Sequence, residues 1–157
     1  IIIPRHIERV TKIKNDMENL GLNVHFDSSL NKIDNNTEIY IVNSYGKTKL
    51  FYNACKYVFL GGSIINHGGQ NPLEAARYGC KILHGPNVFN FLEIYKFLKT
   101  NNISLKIHDQ STLTNILIKL FSKRNNSEKI KNKINYIGQK VLTKTYNEIF
   151  STFRNEI

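Results

Sequence analysis

Lys56-Tyr57-Val58-Phe59-Leu60-Gly61-Gly62-Ser63-Ile64-Ile65-Asn66-His67-Gly68-Gly69-Gln70-Asn71-Pro72-Leu73-Glu74-Ala75-Ala76 is the stretch on which the fold turns. Lys56 to Leu60 reads as a strand, and Asn71 to Tyr78 as a helix closed by Gly79. Between them lie two glycine pairs, a histidine and several amides. Strand, glycine loop and helix in that order form the repeating unit of α/β folds. Glycine admits positive φ and keeps Cβ atoms out of a ligand's way. The N–H groups of Gly68, Gly69 and Gln70, just ahead of the helix, are natural partners for an anion such as a phosphate. His67 is placed to donate to the same group. No Gly-Lys-Ser/Thr follows, so this is not a P-loop, and an ordinary tight turn is the competing reading.

Outward from that stretch the alternation continues. Strands are expected at Ile1 to Ile3, Leu22 to Phe26, Glu38 to Val42, Lys81 to His84 and Ile103 to Ile107. Helices are expected at Arg5 to Leu20, Lys47 to Ala54, Phe89 to Lys99, Ser111 to Phe121 and Ser127 to about Arg154. The first carries Ile7, Val10, Ile13, Met17 and Leu20 on one face, with Gly21 at its C-cap. The last carries Ile130, Ile134, Ile137, Val141, Ile149 and Phe153 inward. Asp27 to Asn36 reads as a polar loop. Six strands alternating with helices predict an α/β fold with a doubly wound parallel sheet. Ligands of such sheets bind beyond the carboxyl ends of the strands. Pro4 to His6, Asn43 to Lys47, Gly61 to Gln70 and Gly85 to Asn90 all follow strand ends, which predicts four polar loops on one rim.

The 157 residues, 41% of them hydrophobic, suffice for one domain with one core. The chain opens on Ile1-Ile2-Ile3 without an initiator Met, in an expected strand, and so reads as a fragment lacking its N-terminal part. The formal net charge of +10 is spread as lysine among asparagine and isoleucine. It is densest at Lys119, Lys123, Arg124, Lys129, Lys131 and Lys133. A solvated helix face and an anionic membrane surface both fit this stretch. Cys55 and Cys80 have no zinc-spaced partners and read as buried free thiols. No apolar run approaches the ~20 residues that span a bilayer, and no signal peptide is present.

Glu74 admits two readings. Asn71 as N-cap, Pro72 at the first helical position and Glu74 at the third approximate a capping box. Alternatively the carboxylate, an acceptor with two oxygens, takes both hydroxyl protons of a ribose diol. Arg5, just past the first strand, can fork onto phosphate oxygens. As a bare cation at a helix start it is electrostatically misplaced. His6 suits a structural or a ligand role equally. Asn43-Ser44-Tyr45-Gly46 either frames a base, through backbone groups and the Tyr45 ring, or is an ordinary loop. No Ser-His-Asp set, no carboxylate pair and no metal cluster stands in the rim loops.

Several strings, in order, carry a family resemblance. They are Pro4-Arg5-His6 with Glu8-Arg9, Gly46 before Leu50-Phe51-Tyr52, Gly61-Gly62-Ser63, His67 to Glu74, and Gly85-Pro86 with Phe89-Asn90-Phe91. Together they resemble the C-terminal domain of the 3-deoxy-D-manno-oct-2-ulosonic acid (Kdo) transferases of Gram-negative bacteria, from the chain start to about Tyr95. The resemblance implies a Rossmann-like fold, the C-terminal, donor-binding half of a GT-B glycosyltransferase. Residues 1–157 would be one nucleotide-sugar-binding domain holding CMP-Kdo, with no cofactor and no metal. The N-terminal domain would be absent from this chain. It would carry the acceptor site, the membrane anchor and a glutamate base. Kdo would pass, with inversion, to a lipid A precursor on the cytoplasmic face of the inner membrane. Arg5 would clamp the phosphate and stabilise the leaving group. Ser63 and the segment His67, Gly68, Gly69 and Gln70 would share in holding the donor. Asn71 and Glu74 would hold the nucleotide, and Tyr45 and Gly46 would meet the cytosine. Family members often have an acidic residue and a threonine in place of Asn43 and Ser44, methionine in place of Tyr45, and an acidic residue in place of Lys47.

Two other functions compete. One is a different GT-B transferase, or an epimerase, using a UDP-sugar. The other is a basic nucleic-acid-binding domain, which the charge permits although no RNP, KH or helix-turn-helix signature appears.

Overall fold

The structure, a computed structural model, describes residues 1–28, 32–122 and 126–154. Lys123 and Arg124 of the basic stretch, and residues 29–31 of the expected polar loop, lie outside the described residues. The chain divides into two compact units, Ile1–Phe51 and Tyr52–Ile157.

In the first unit Pro4 and an extended His6 (φ −115°, ψ 109°) keep the backbone out of the helical region, so the helix starts later than Arg5. A 3₁₀ turn at Ile7–Arg9 leads into α1 (Val10–Asn19). Val10 is buried as expected, whereas Leu20 is exposed, because it already belongs to the cap. Gly21, at φ +79°, donates to Glu18 O at 2.9 Å, and Leu22 N–H donates to Met17 O at 3.2 Å. These two bonds make a Schellman cap, with Gly21 at the left-handed position. β1 (Val24–Phe26) and β2 (Ile39–Ile41) pair in parallel, Val24 opposite Ile39. The expected strand at Ile1 to Ile3 is a single parallel bridge, Ile2 to Ile41, held by Ile2 N–H to Tyr40 O and Val42 N–H to Ile2 O. Pro4, which has no N–H, stops it from growing. Helix α2 (Thr48–Ala54) follows.

The second unit is built on three parallel strands, β3 (Tyr57–Leu60), β4 (Lys81–His84) and β5 (Ser104–Lys106), with β4 central. Between β3 and β4 lies α3 (Leu73–Arg77), five residues long where Asn71 to Tyr78 was expected. Gly79 ends it in the same kind of cap as Gly21, with Gly79 N–H on Ala76 O and Cys80 N–H on Ala75 O. A 3₁₀ turn at Phe89–Phe91 opens α4 (Leu92–Thr100). In α5 (Gln110–Phe121), the Asp109 carboxylate caps the first turn by accepting from Thr112 N at 2.7 Å. The core gathers Leu60, Ala75, Ala76, Ile82, Leu98 and Ile103. Cys80 lies in it as a free thiol that donates to the Tyr52 and Cys55 carbonyls. Burial pushes its pKa up to about 11, so it is inert. Cys55 is half-buried.

α6 (Ser127–Arg154) departs from its sequence reading. Ile134 is buried and Ile130 packs against the core. Val141, Ile149 and Phe153, expected inward, are 61%, 54% and 65% exposed. Periodicity made one stripe, but the helix, which packs on α3, joins the core through Ile130 and Ile134. Lys119, Lys129, Lys131 and Lys133 are exposed. Among the described residues no helix is long and apolar enough to cross a membrane.

Candidate functional site

The glycine loop of the second unit is fastened to the loop after β4. Ser63 makes the central tie. Its buried hydroxyl donates to Leu60 O at 2.6 Å and accepts from Gly85 N–H at 2.8 Å. Asn87 N–H donates to Ser63 O and the Asn87 side chain to Ile64 O. Asn90 repeats the arrangement, backbone N–H to Gly68 O and side chain to His67 O. The loops are so close that a Cβ on Gly85 would lie 2.3 Å from Ser63 O, and one on Gly68, itself at φ +78°, 2.3 Å from Asn90 Nδ2. Only glycine permits that approach at either position.

This packing sorts the predicted residues. Ser63 was expected among the substrate contacts; its hydroxyl is buried, bonded on both sides and ties the two loops together. Gly69 N–H is also committed, to Gly62 O at 3.1 Å. Among the described residues the N–H groups of Gly68, Gln70 and Asn71 have no protein acceptor. With only five residues, α3 has little macrodipole, so attraction for an anion rests on these loop amides. Asn71 Oδ1 accepts from Leu73 N–H at 3.0 Å, a turn just ahead of α3, but the N-cap position falls one residue later than expected, on Pro72, which offers no side-chain cap. The reciprocal half of a capping box does not form either. Glu74 is exposed and its carboxylate bonds no protein group among the described residues. The His67 ring is exposed and without a side-chain bond there too. The Gln70 carbonyl is pinned by Tyr95 OH at 3.0 Å.

In the first unit, Arg5 is exposed and bonds no protein group among the described residues. His6 Nδ1 lies 3.2 Å from the Glu8 carboxylate. Tyr45 is 74% exposed and Gly46 turns the chain at φ +82°. Asp27 holds the loop beneath them. Its carboxylate accepts from Tyr40 OH at 2.8 Å, from Ser44 Oγ at 3.2 Å and from Lys47 Nζ. The Lys47 hydrogen bond, then that of Tyr40, holds the Asp27 pKa below the usual carboxylate value. The Asn43 side chain accepts from Ser28 N–H at 3.1 Å and donates to Ser28 Oγ at 2.6 Å. Among the described residues no three His, Cys, Asp or Glu side chains are grouped to hold a metal ion.

No protein-family model matches the chain. A 3-deoxy-D-manno-octulosonic acid transferase of Rickettsia prowazekii (strain Madrid E) is 32% identical over 164 residues, 98% of this chain and 34% of its own length. Among solved structures, the C-terminal CMP-Kdo binding domain of WaaA from Acinetobacter baumannii aligns with a TM-score of 0.77 and 28% identity, over 87% of this chain and 72% of that one. The chain belongs to the Kdo transferase family. A Fusobacterium nucleatum bifunctional glycosyltransferase/methyltransferase is also similar, 26% identical over 83% of this chain and 21% of its own length. The chain spans about a third of the length of the R. prowazekii relative. Its fold is Rossmann-like α/β, that of the C-terminal half of a GT-B protein.

Lys47, where the family resemblance implies an acidic residue, is a cation paired with the Asp27 carboxylate. Asp27 itself was hidden in sequence, one acid in a polar run. Asn87 and Asn90 were equally hidden, although both stand in the Gly85 to Asn90 rim segment and Asn90 lies in one of the family strings. A short polar residue next to a glycine that cannot take a Cβ is the signal that marks them.

Proposed function

We propose that this chain binds CMP-Kdo as the donor-binding part of an inverting, metal-independent Kdo transferase. The observation that carries this reading is the row of amides at Gly68, Gln70 and Asn71, beside the Glu74 carboxylate, that have no protein partner among the described residues. It stands in a chain that aligns with a CMP-Kdo binding domain. The amides receive the phosphate, whose charge they match without a protein competitor. His67 donates to it, and Gly69 supplies shape through its own fixed bond. Glu74 accepts from the ribose hydroxyls, a role that its lack of a capping partner leaves open. For the first unit the proposal carries over what the family resemblance implies. Arg5 serves the phosphate and stabilises the charge that builds on the departing CMP, while Tyr45 and Gly46 serve the cytosine.

In the whole enzyme the Kdo anomeric carbon bonds to a hydroxyl of a lipid A precursor as its bond to the CMP phosphate oxygen breaks. The acceptor's proton passes to a general base supplied outside these residues. The acceptor site and membrane attachment lie there too, and the reaction takes place at the cytoplasmic face of the inner membrane. The exposed lysines at the start of α6 suit an anionic lipid surface.

Titration of the chain with CMP, UMP and a short oligonucleotide at moderate salt tests the reading. CMP is expected to bind in preference to UMP. A preference for UMP overturns it in favour of a UDP-sugar enzyme. Oligonucleotide binding that falls steeply with salt overturns it in favour of nucleic-acid binding.

A further inference from the structure

His84 is a buried titratable group that the proposed function leaves unused. It is the last residue of β4, at the carboxyl edge of the parallel strands, and is 5% exposed. Its Nδ1 lies 2.7 Å from Gly85 O. A carbonyl only accepts, so Nδ1 carries the proton and the lone pair of the neutral ring sits on Nε2. The ring packs on Tyr95 with centroids 4.3 Å apart.

Both contacts lead in one step to the glycine cradle. Gly85 N–H is held by Ser63 Oγ, and Tyr95 OH holds the Gln70 carbonyl. Among the described residues Nε2 bonds no protein group. It is not sealed either, since the one sealed and unbonded side-chain polar atom among the described residues is Ser104 Oγ. A buried ring locked by one nitrogen, with the other unbonded among the described residues, is poorly explained as packing alone. A phenylalanine would fill the same space.

Resting on the CMP-Kdo reading above, we infer that His84 is a further donor-binding residue, whose Nε2 accepts a hydrogen bond from a hydroxyl or amino group of the bound nucleotide-sugar. The phosphate is not its partner, because a lone pair facing phosphate oxygens repels them. Burial, with Lys106 on β5 and Lys99 on α4 adding positive charge, keeps the imidazole below its ordinary pKa and hence neutral at pH 7.

The test is nitrogen NMR of the His84 ring in the parent chain during titration with CMP and then with CMP-Kdo, paired with the variant His84→Asn. Asparagine keeps a donor for Gly85 O but has nothing in the place of Nε2. The Nε2 resonance is expected to move on saturation, and His84→Asn to weaken binding roughly tenfold. A shift already present with CMP assigns the partner to the nucleotide, and one that needs CMP-Kdo assigns it to the sugar. If the Gly68 and Gln70 amides respond to ligand while Nε2 stays still and His84→Asn binds like the parent, this inference is overturned and the CMP-Kdo reading survives. If neither the amides nor Nε2 respond, the CMP-Kdo reading fails and the His84 assignment falls with it. The ring signal needs no variant, so a misfolded His84→Asn leaves the test intact.

Discussion

Glu74 and Asp27 are both carboxylates beside glycine-containing loops, and their surroundings give them opposite duties. Glu74 is exposed and unpartnered among the described residues, so removing it should leave the fold alone and act on the ligand. Glu74→Ala and Arg5→Ala are each expected to weaken CMP binding by ~1–3 kcal/mol, the scale of a lost charged hydrogen bond. Calorimetric titration of folded variants with parental affinity would remove both from the site. Asp27 accepts from three side chains and does structural work instead. Its pKa is depressed in the folded chain, so the folded state takes up its proton less readily than the unfolded state. The stabilisation is therefore complete above the unfolded value near pH 4 and lost as pH falls through the folded value. Asp27→Asn should cost about 1–2 kcal/mol at pH 7, toward the low end because half-exposed Lys47 is screened by solvent. The gap from the parent should close in acid. Urea unfolding at pH 7 and near pH 3 reads both, and a gap that does not depend on pH would show that the carboxylate charge is not the cause.

At the scale of elements, the glycine caps were legible and the long helix was not. Gly21 and Gly79 both sit at the left-handed position of a Schellman cap. That conformation is a local matter of one residue without a Cβ. In α6, by contrast, one apolar periodicity runs through residues with different fates. Ile134 is buried in the core and Ile149 is 54% exposed. Ile134→Ala should cost ~2–5 kcal/mol through the cavity it leaves. Ile149→Ala should change stability by no more than ~0.5 kcal/mol. Thermal or chemical unfolding of the two variants measures the difference, and equal losses would mean that the distal stripe is covered. The five-residue α3 also matters here. Sequence suggested free N–H groups ahead of a helix from Asn71 to Tyr78, and with the helix cut to Leu73–Arg77 the attraction rests on loop amides alone.

For the whole molecule, matching about a third of the R. prowazekii relative's length sets what these residues do alone. The 157 residues by themselves are expected to bind CMP-Kdo and to transfer no Kdo to a lipid A precursor, because the proposed base and acceptor site lie outside them. A transfer assay with the purified chain tests this, and turnover would place a base among the residues described above. The sequence by itself determined the strand–helix alternation, the parallel sense, the glycine caps, the family and the identity of the amide-bearing loop. These depend on residues adjacent in the chain, or on strings short enough to keep their order. Only the tertiary structure decided which hydroxyls and amides were already spent. The Ser63 hydroxyl and the Gly69 amide are consumed, Gly68, Gln70, Asn71 and Glu74 are left over among the described residues, and His84 is locked by one nitrogen. The reason is physical. Each of those groups is satisfied, or not, by a partner that the chain supplies from another loop or strand, and sequence spacing does not reveal that partner.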